Sequence, residues 1–447
     1  MRRLWAGASA LLLLSACATY RAQPLDSAPE VLAPPVAKVL QARADRIDRP
    51  WLKPVTVDLA APLTGEAVAV IAVVNNPDLK AQRVRAGVSD AQVFAAGLLP
   101  DPTISLGASK VLSGPDPLVD LASSLAADLN ALRTAGVARR KAKAEARQVR
   151  LDLAWAEWQT AGQARIRAVR VAQLERIVAL DRQSRDVEHS LLARIQRAAG
   201  RGDVSGDRLQ AARTAAFDAA NRLRTAEKDL AAAREDLDKL LGLPPGTDLA
   251  VASPAVPAEI PSAEALFALA RDSRTDLAAL RAGYAAQEAA VHKAVLDQFP
   301  TLNLTMNANR DSAGNLLVGP AVDFTLPIWN RNRGGIAVER ATRAALKAEY
   351  DARLFQTRAD IGAAVAGIRV AFRQREEAMQ DLPEVRRHAD AAQRAAKRGD
   401  LSLEAAQNAE QVLRDRLIQI AQSEQDLSEQ TIALELLTGA PREAWPK

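Results

Sequence analysis

Residue types that commonly carry chemistry are scarce in this chain, which has one Cys, three His and three Met. One thiol cannot form an intramolecular disulfide, and so few imidazole and sulfur ligands supply no donor set for a metal centre. His189, His292 and His388 fall in separate helical segments without paired carboxylate spacing, and they read as helix-surface residues. There is no phosphate-binding Gly loop and no Ser nucleophile elbow. The pattern argues against an enzyme, and no cofactor is expected. What remains is Cys17 and two related turns, Gly202-Asp203-Val204-Ser205 and Gly399-Asp400-Leu401-Ser402. In both, Gly allows a tight reversal, and Asp or Ser can cap the returning helix.

Cys17 follows an export signal. Met1–Ala16 carries Arg2 and Arg3 and then an apolar stretch ending in Leu11–Leu14, too short to span a membrane stably. The segment Leu14-Ser15-Ala16-Cys17 resembles a bacterial lipobox, in which a small residue precedes a Cys that is lipidated and becomes the new N-terminus. The alternative is ordinary cleavage nearby and a buried free thiol. By the same resemblance, Ala18 and Thr19 in place of Asp imply sorting to the outer membrane. Pro24, Pro29, Pro34, Pro35, Pro50, Pro54 and Pro62 then predict an extended arm, because Pro fixes φ and removes a donor.

The elements that must position the two turns are long helices. Of 447 residues, 48% are hydrophobic but only 4% aromatic, and Ala, Leu and Arg dominate, a balance that suits helices. The formal charge of +5 is small and evenly spread, which argues against nucleic acid as a partner. No apolar run reaches the ~18 residues of a transmembrane helix. No Pro occurs between Pro117 and Pro244, so residues 134–199 can form one helix roughly 100 Å long. A stripe of apolar or small residues runs through it at Leu151, Trp155, Trp158, Gly162, Ile166, Val169, Ile177, Leu180, Ser184, Val187, Leu191 and Ile195. Its mean step of roughly 3.7 residues predicts a helix that runs nearly straight or winds weakly right-handed, and the Arg and Glu of the other faces read as a solvated surface. In the second half, Pro383 should kink or break the corresponding helix.

The body is written twice. At an offset of 198, Asp78-Leu79 matches Asp276-Leu277 and Pro102-Thr103 matches Pro300-Thr301; at 199, Gly136-Val137-Ala138 matches Gly335-Ile336-Ala337. At 197, the segment from Arg197 to Ser205 matches that from Arg394 to Ser402 with seven of nine residues identical, and Gly242 and Gly439 close the copies. Each copy begins with a helix opening near Thr64 or Ser262. Two segments of period two follow. Ile104, Leu106 and Ala108 alternate with polar residues, as do Leu121, Leu125 and Ala127 after a turn at Gly114-Pro115-Asp116-Pro117. In the second copy Leu302, Leu304, Met306 and Ala308 alternate, and after a turn at Asp311–Asn315 so do Val318, Val322, Phe324, Leu326 and Ile328. Strands of about ten residues, flanked by Phe299 and Trp329, suit an outer-membrane barrel. Four strands cannot close one in lipid, so oligomerisation must supply the rest; a trimer would give twelve. The alternative is a soluble four-stranded sheet against the helices.

The duplicated order, the Asn75-Asn76-Pro77-Asp78-Leu79 segment, the Leu99-Pro100 and Phe299-Pro300 strand openings, the Gly-Asp-x-Ser turns, and the closing Leu240-Leu241-Gly242 and Leu437-Thr438-Gly439 resemble the TolC-like outer-membrane efflux family over residues 60–442. The lipobox matches its lipoprotein branch. The resemblance implies a mainly α fold with a small β part. Long helices would form a periplasmic α-barrel, and four strands would contribute to a trimeric 12-stranded β-barrel. It also implies a homotrimer in outer-membrane lipid that accepts small molecules or metal ions from a periplasmic adaptor and an inner-membrane pump. The two turns match the helix tips where adaptors dock. The family often places acids six and nine positions after the second tip Gly, but Ala405 and Asn408 stand there, so Glu404, Asn408 and Asp207 are the gate candidates. Polypeptide secretion on the same fold, or a lipid-anchored helical spacer without a barrel, are the alternatives.

The expected organisation is therefore a signal peptide (1–16), a lipidated Cys and arm (17–62), a first repeat (63–243), a linker (244–261) and a second repeat (262–442). In the first repeat, strands are expected at about 102–130 and long helices at about 134–199 and 204–241; in the second, at about 300–329, 335–397 and 402–438.

Overall fold

The computed structural model describes residues 20–27, 32–110, 112–113, 119–252, 259–311 and 314–446. Cys17, the export signal and the turn Gly114-Pro115-Asp116-Pro117 lie outside them. Two units separate at Pro35. In the first, Tyr20–Asp26 is exposed and has no regular structure; the second, Val36–Lys447, is the body.

The body opens with α1 (Ala37–Ala44), a helix within the segment expected to be extended. The Pro-rich pattern concealed it because residues 36–49 hold no Pro. Leu40 and Ala44 of α1 are buried with Leu52, Val57 and Leu63 in the largest apolar cluster, beside Val68, Val70 and Ile71. From Leu40 onward the arm is thus part of the core of the body. It is also pinned by charge. Glu157, fully buried, accepts hydrogen bonds from Arg49 Nη2 at 2.9 Å and Arg83 Nη2 at 2.7 Å. Burial alone would raise its pKa, but the two guanidiniums hold it below the usual range. Glu157 therefore corrects the reading of the helix's charged faces as uniformly solvated. Trp51 of the arm meets Trp158 edge-on, centroids 4.9 Å apart.

The first repeat continues with α2 (Gly65–Asn75), α3 (Pro77–Ala95), β1 (Thr103–Lys110), β2 (Val119–Asp128), α4 (Leu129–Gly200) and α5 (Gly206–Leu241). The second has α6 (Ala263–Ser273), α7 (Thr275–Leu296), β3 (Leu302–Arg310), β4 (Leu316–Phe324), α8 (Arg333–Arg398) and α9 (Leu403–Thr438). The 72 residues of α4 extend for roughly 108 Å. Its sequence stripe is the packed face: Trp158, Gly162, Val169, Ser184, Leu191 and Ile195 are buried. Pro383 lies inside α8 without breaking it. It removes one backbone donor, and Ala378 and Ala389, buried on either side, keep the helix packed across the gap.

The two repeats end alike in backbone and differ in chemistry. Gly242 has φ +66°, and Asn75 Nδ2 donates to the carbonyls of Leu241 and Gly242, both at 2.9 Å. Asn76 Nδ2 donates to Leu240 O, while its Oδ1 caps α3 at Leu79 N. The opening and closing motifs of the repeat are therefore one junction. In the second repeat Arg274 stands where Asn76 does: Nη1 donates to Leu437 O at 3.0 Å, Nη2 pairs with Asp276 at 2.6 Å, and the guanidinium lies 4.6 Å from the Trp155 ring centroid.

The four strands form one antiparallel sheet in the order β1-β2-β3-β4. Ile104 pairs with Leu125, Leu125 with Met306 and Met306 with Pro320. This register puts Ile104, Leu106, Leu121, Leu304, Val318, Val322 and Phe324 on one face. Thr103, Ser105, Ser124, Asn303, Thr305 and Asn307 share the other. The final strand stops at Phe324, opposite Leu302, the first residue of β3; Leu326 and Ile328 lie beyond it. Above the helical tips, the order across the body is α3, α4, α7, α8; nearer the tips it is α5, α4, α9, α8. One flank is thus β1, α3 and α5, and the other is β4 and α8.

Two measurements test this packing. A Cβ at Gly162 would fall inside the side chain of Leu436, so Gly162→Leu is expected to cost about 1–3 kcal/mol in denaturant unfolding. Burial pushes the Asp238 carboxyl up to about 6, so its charged form is disfavoured in the folded state. Stability should then fall as pH rises from about 4 to about 6 and stay reduced above that. Asp238→Asn should stabilise the protein at about pH 7 by about 1–2 kcal/mol, with the two proteins converging near pH 4 in thermal unfolding.

Candidate functional site: the paired helix tips

Both turns are built the same way, atom for atom at an offset of 197. Gly202 N donates to Ala199 O at 3.0 Å and Asp203 N to Ala198 O at 2.9 Å; Gly399 N donates to Ala396 O at 3.1 Å and Asp400 N to Ala395 O at 3.0 Å. These are Schellman closures of α4 and α8, and they need the left-handed φ of +80° at Gly202 and +84° at Gly399. Arg201 Nε donates to Asp203, and Arg398 Nε to Asp400, each at 2.8 Å. Ser205 Oγ accepts from Arg208 N, and Ser402 Oγ from Ala405 N. Each returning helix is therefore capped by the Ser of its motif.

The apolar residues of the tips differ. Val204 is half-buried and packs with Leu192 and Leu209 against Leu191 and Ile195. The second hairpin closes on small residues, Ala389, Ala392, Ala406 and Ala409, which leave Leu401 37% and Leu403 38% exposed. At Leu403 the first repeat has Gly206.

The gate candidates are distributed unevenly. Asp207 and Glu404 are equivalent positions of the two repeats. Asp207 is exposed in the first turn of α5, whereas Glu404 Oε2 accepts from Arg208 Nη2 at 2.6 Å, joining the tips of α5 and α9. Glu404 and Asn408 line a groove of about 430 Å³ with Arg208, Asp218, Arg222 and Asp415. Sequence reasoning missed Arg208, which was visible as the base next to Asp207. It also missed the polar layer behind the groove. There Gln411 Oε1 accepts from Ser184 Oγ at 2.8 Å and from Arg414 Nη2 at 3.1 Å. Burial lowers the pKa of Arg414 and raises that of Asp181 across the same interface. Near the tips each hairpin is apolar inside, while the contact between hairpins is polar. His189, His292 and His388 are exposed.

Residues 266–440 match the family model described as outer membrane efflux protein. The fold is similar to that of a membrane protein from Pseudomonas aeruginosa, at 16% identity and a TM-score of 0.71, over 95% of this chain and 98% of that one. It is similar also to the CmeC outer membrane channel of Campylobacter jejuni, with 15% identity and a TM-score of 0.69 over 88% and 90% of the two chains. The outer membrane protein VceC of Vibrio cholerae gives 16% identity and a TM-score of 0.68 over 84% and 96%. Among curated proteins, none matches the chain by sequence. The fold is that of the outer-membrane efflux channels, mainly α with a small β part. The second repeat carries the family's sequence signature, so the resemblance to a TolC-like outer membrane factor holds.

The turns themselves are testable. Gly399→Ala is expected to cost about 1–2 kcal/mol from the left-handed backbone, and Ser402→Ala about 1 kcal/mol from the lost cap. Amide exchange at Asp400 and Ala405 should quicken while the junction at Gly242 stays protected.

Proposed function

We propose that the chain is the outer-membrane component of a tripartite efflux system, a passive homotrimeric conduit for small molecules or metal ions. The observation that carries this reading is the sheet, which is apolar on one face, polar on the other and, among the described residues, unpaired along the outer edges of β1 and β4. In a ring of three copies, β4 of one protomer pairs with β1 of the next. The same rotation sets α8 against the next protomer's α3 and α5. These edge helices carry exposed apolar side chains, Val84 and Val88 on α3, Phe217 on α5 and Phe355 on α8, as a heterologous, ring-closing interface requires. Twelve strands then close a barrel with its polar face inward. Trp329, 90% exposed, and Phe299 sit at the helical end of the sheet, at the level of a membrane interface.

In this reading Cys17 carries the lipid, the helices extend into the periplasm, and a periplasmic adaptor linked to an inner-membrane pump docks on the tips. Leu401 and Leu403 offer it apolar contact. Glu404 and Asn408, with Asp207 nearby, line the narrow end. The Glu404–Arg208 pair is exposed and worth under about 1 kcal/mol, which suits a contact that opens and closes. A helical spacer without strands is at odds with the sheet.

Detergent extraction should yield a heat-sensitive trimer from the outer membrane. Phe355→Glu should reduce it to monomer, and a wild-type monomer released by salt would sink the reading. Gly202→Glu with Gly399→Glu should lower dye efflux to the level of a deletion strain while the trimer persists.

A further inference from the structure

Charges in the four strands are segregated by face. Asp120, Asp128 and Asp323 all lie on the polar face, while Lys110 and Arg310 lie on the apolar one. Both bases occupy the last position of their strands, at the end of the sheet away from the helices. We propose that Lys110 and Arg310 bind phosphate groups of phosphorylated glycolipid in the outer leaflet of the membrane, forming a basic rim on the lipid-facing surface. This rests on the barrel reading above.

The energetics restrict where these bases can sit. A Lys or Arg on the lipid face costs about 2–4 kcal/mol at the bilayer midplane and about 0–1 kcal/mol near the interface. The nine residues of β3 extend for roughly 30 Å, and a tilt of about 40° reduces that to roughly 23 Å of height, close to the apolar band of such barrels. Leu302 to Arg310 therefore spans the hydrocarbon once, and Arg310 emerges at its far edge. With the helices on the periplasmic side, that edge is the outer leaflet. Long basic side chains there direct their charge to the headgroups.

Geometry favours phosphate on a broad headgroup. Lys110 pairs with Val119, and Arg310 with Leu121, so the two bases are two strands and one two-residue step apart. Ladder spacings put their Cα atoms about 12 Å from each other, a span suited to a disaccharide bearing two phosphates. Arg can grip one oxyanion bidentately and Lys can meet the other as a point charge. No carboxylate within the strands shares their face, and among the described residues neither base forms an ion pair. The adjacent Asp311 is occupied in the turn, where Oδ1 accepts from Asn315 N at 2.7 Å and Oδ2 from Asn315 Nδ2 at 2.9 Å.

The test uses the full-length protein in nanodiscs containing a disaccharide bisphosphate glycolipid or its dephosphorylated counterpart, with retained lipid counted by native mass spectrometry. Wild type should retain the phosphorylated form several-fold better. The Lys110→Gln/Arg310→Gln variant should reduce that preference to parity, and Asp120→Asn should leave it unchanged. Parity in the wild type, which requires no variant to fold, would overturn the proposal, as would an undiminished preference in the double variant. A chain that is monomeric before lipid is added would instead overturn the conduit reading; an intact trimer without preference rejects the rim alone.

Discussion

Among the described residues, the outer backbone groups of β1 and β4 are unpaired, and this is the constraint on which the proposed assembly turns. In water such edges invite aggregation; in hydrocarbon each orphaned N–H or C=O costs several kcal/mol. A sheet with an apolar face and two free edges cannot be a finished membrane structure. The demand for closure passes down the molecule, because β1 leads from α3 and β4 leads into α8. The strand edges and helical flanks must therefore be satisfied by one rotation. In the proposed assembly the polar strand face is the inside of the conduit, and the tips are its other end.

Duplication supplied this architecture, and divergence specialised it. The backbone solution at each tip is the same, a left-handed Gly followed by a Ser cap. Side chains around it are not: Gly206 became Leu403 or the reverse, and Glu404 found Arg208 while Asp207 stayed in solvent. At the other end of each repeat, two neutral Asn side chains do in one copy what a charged Arg274–Asp276 pair does in the other. A fold can thus hold its geometry while the two halves of a protomer present different surfaces to a partner. The polar contact between the hairpins near the tips, beside apolar packing within each hairpin, leaves the hairpins as the natural rigid units.

Much of this was legible in the residue order. Period two at Leu302–Ala308, period near 3.7 along Leu151–Ile195 and the repeated Gly-Asp-x-Ser turns each depend on neighbours within a few positions, where sequence and structure are nearly the same information. At Pro383 the helix does not break, because propensity counts the lost donor but not the packing of Ala378 and Ala389 that spans it. The arm misled in the opposite sense. Its prolines were conspicuous, while the helix Ala37–Ala44 draws its stability from burial of Leu40 and Ala44 rather than from its own pattern.

By itself, the sequence determined the duplication, the switch from helical to strand period, and the two turns, because these follow from local backbone preference and side-chain spacing. Tertiary structure alone decided which strands share a sheet, and so that the apolar residues of both repeats and the two bases Lys110 and Arg310 lie on one face. It alone decided that Glu157, spaced like any surface acid, is buried between Arg49 and Arg83, and that Glu404 rather than Asp207 is paired. These outcomes join residues from about 70 to about 200 positions apart. No local rule reaches that far, because register and burial are settled only when distant segments compete for the same partners.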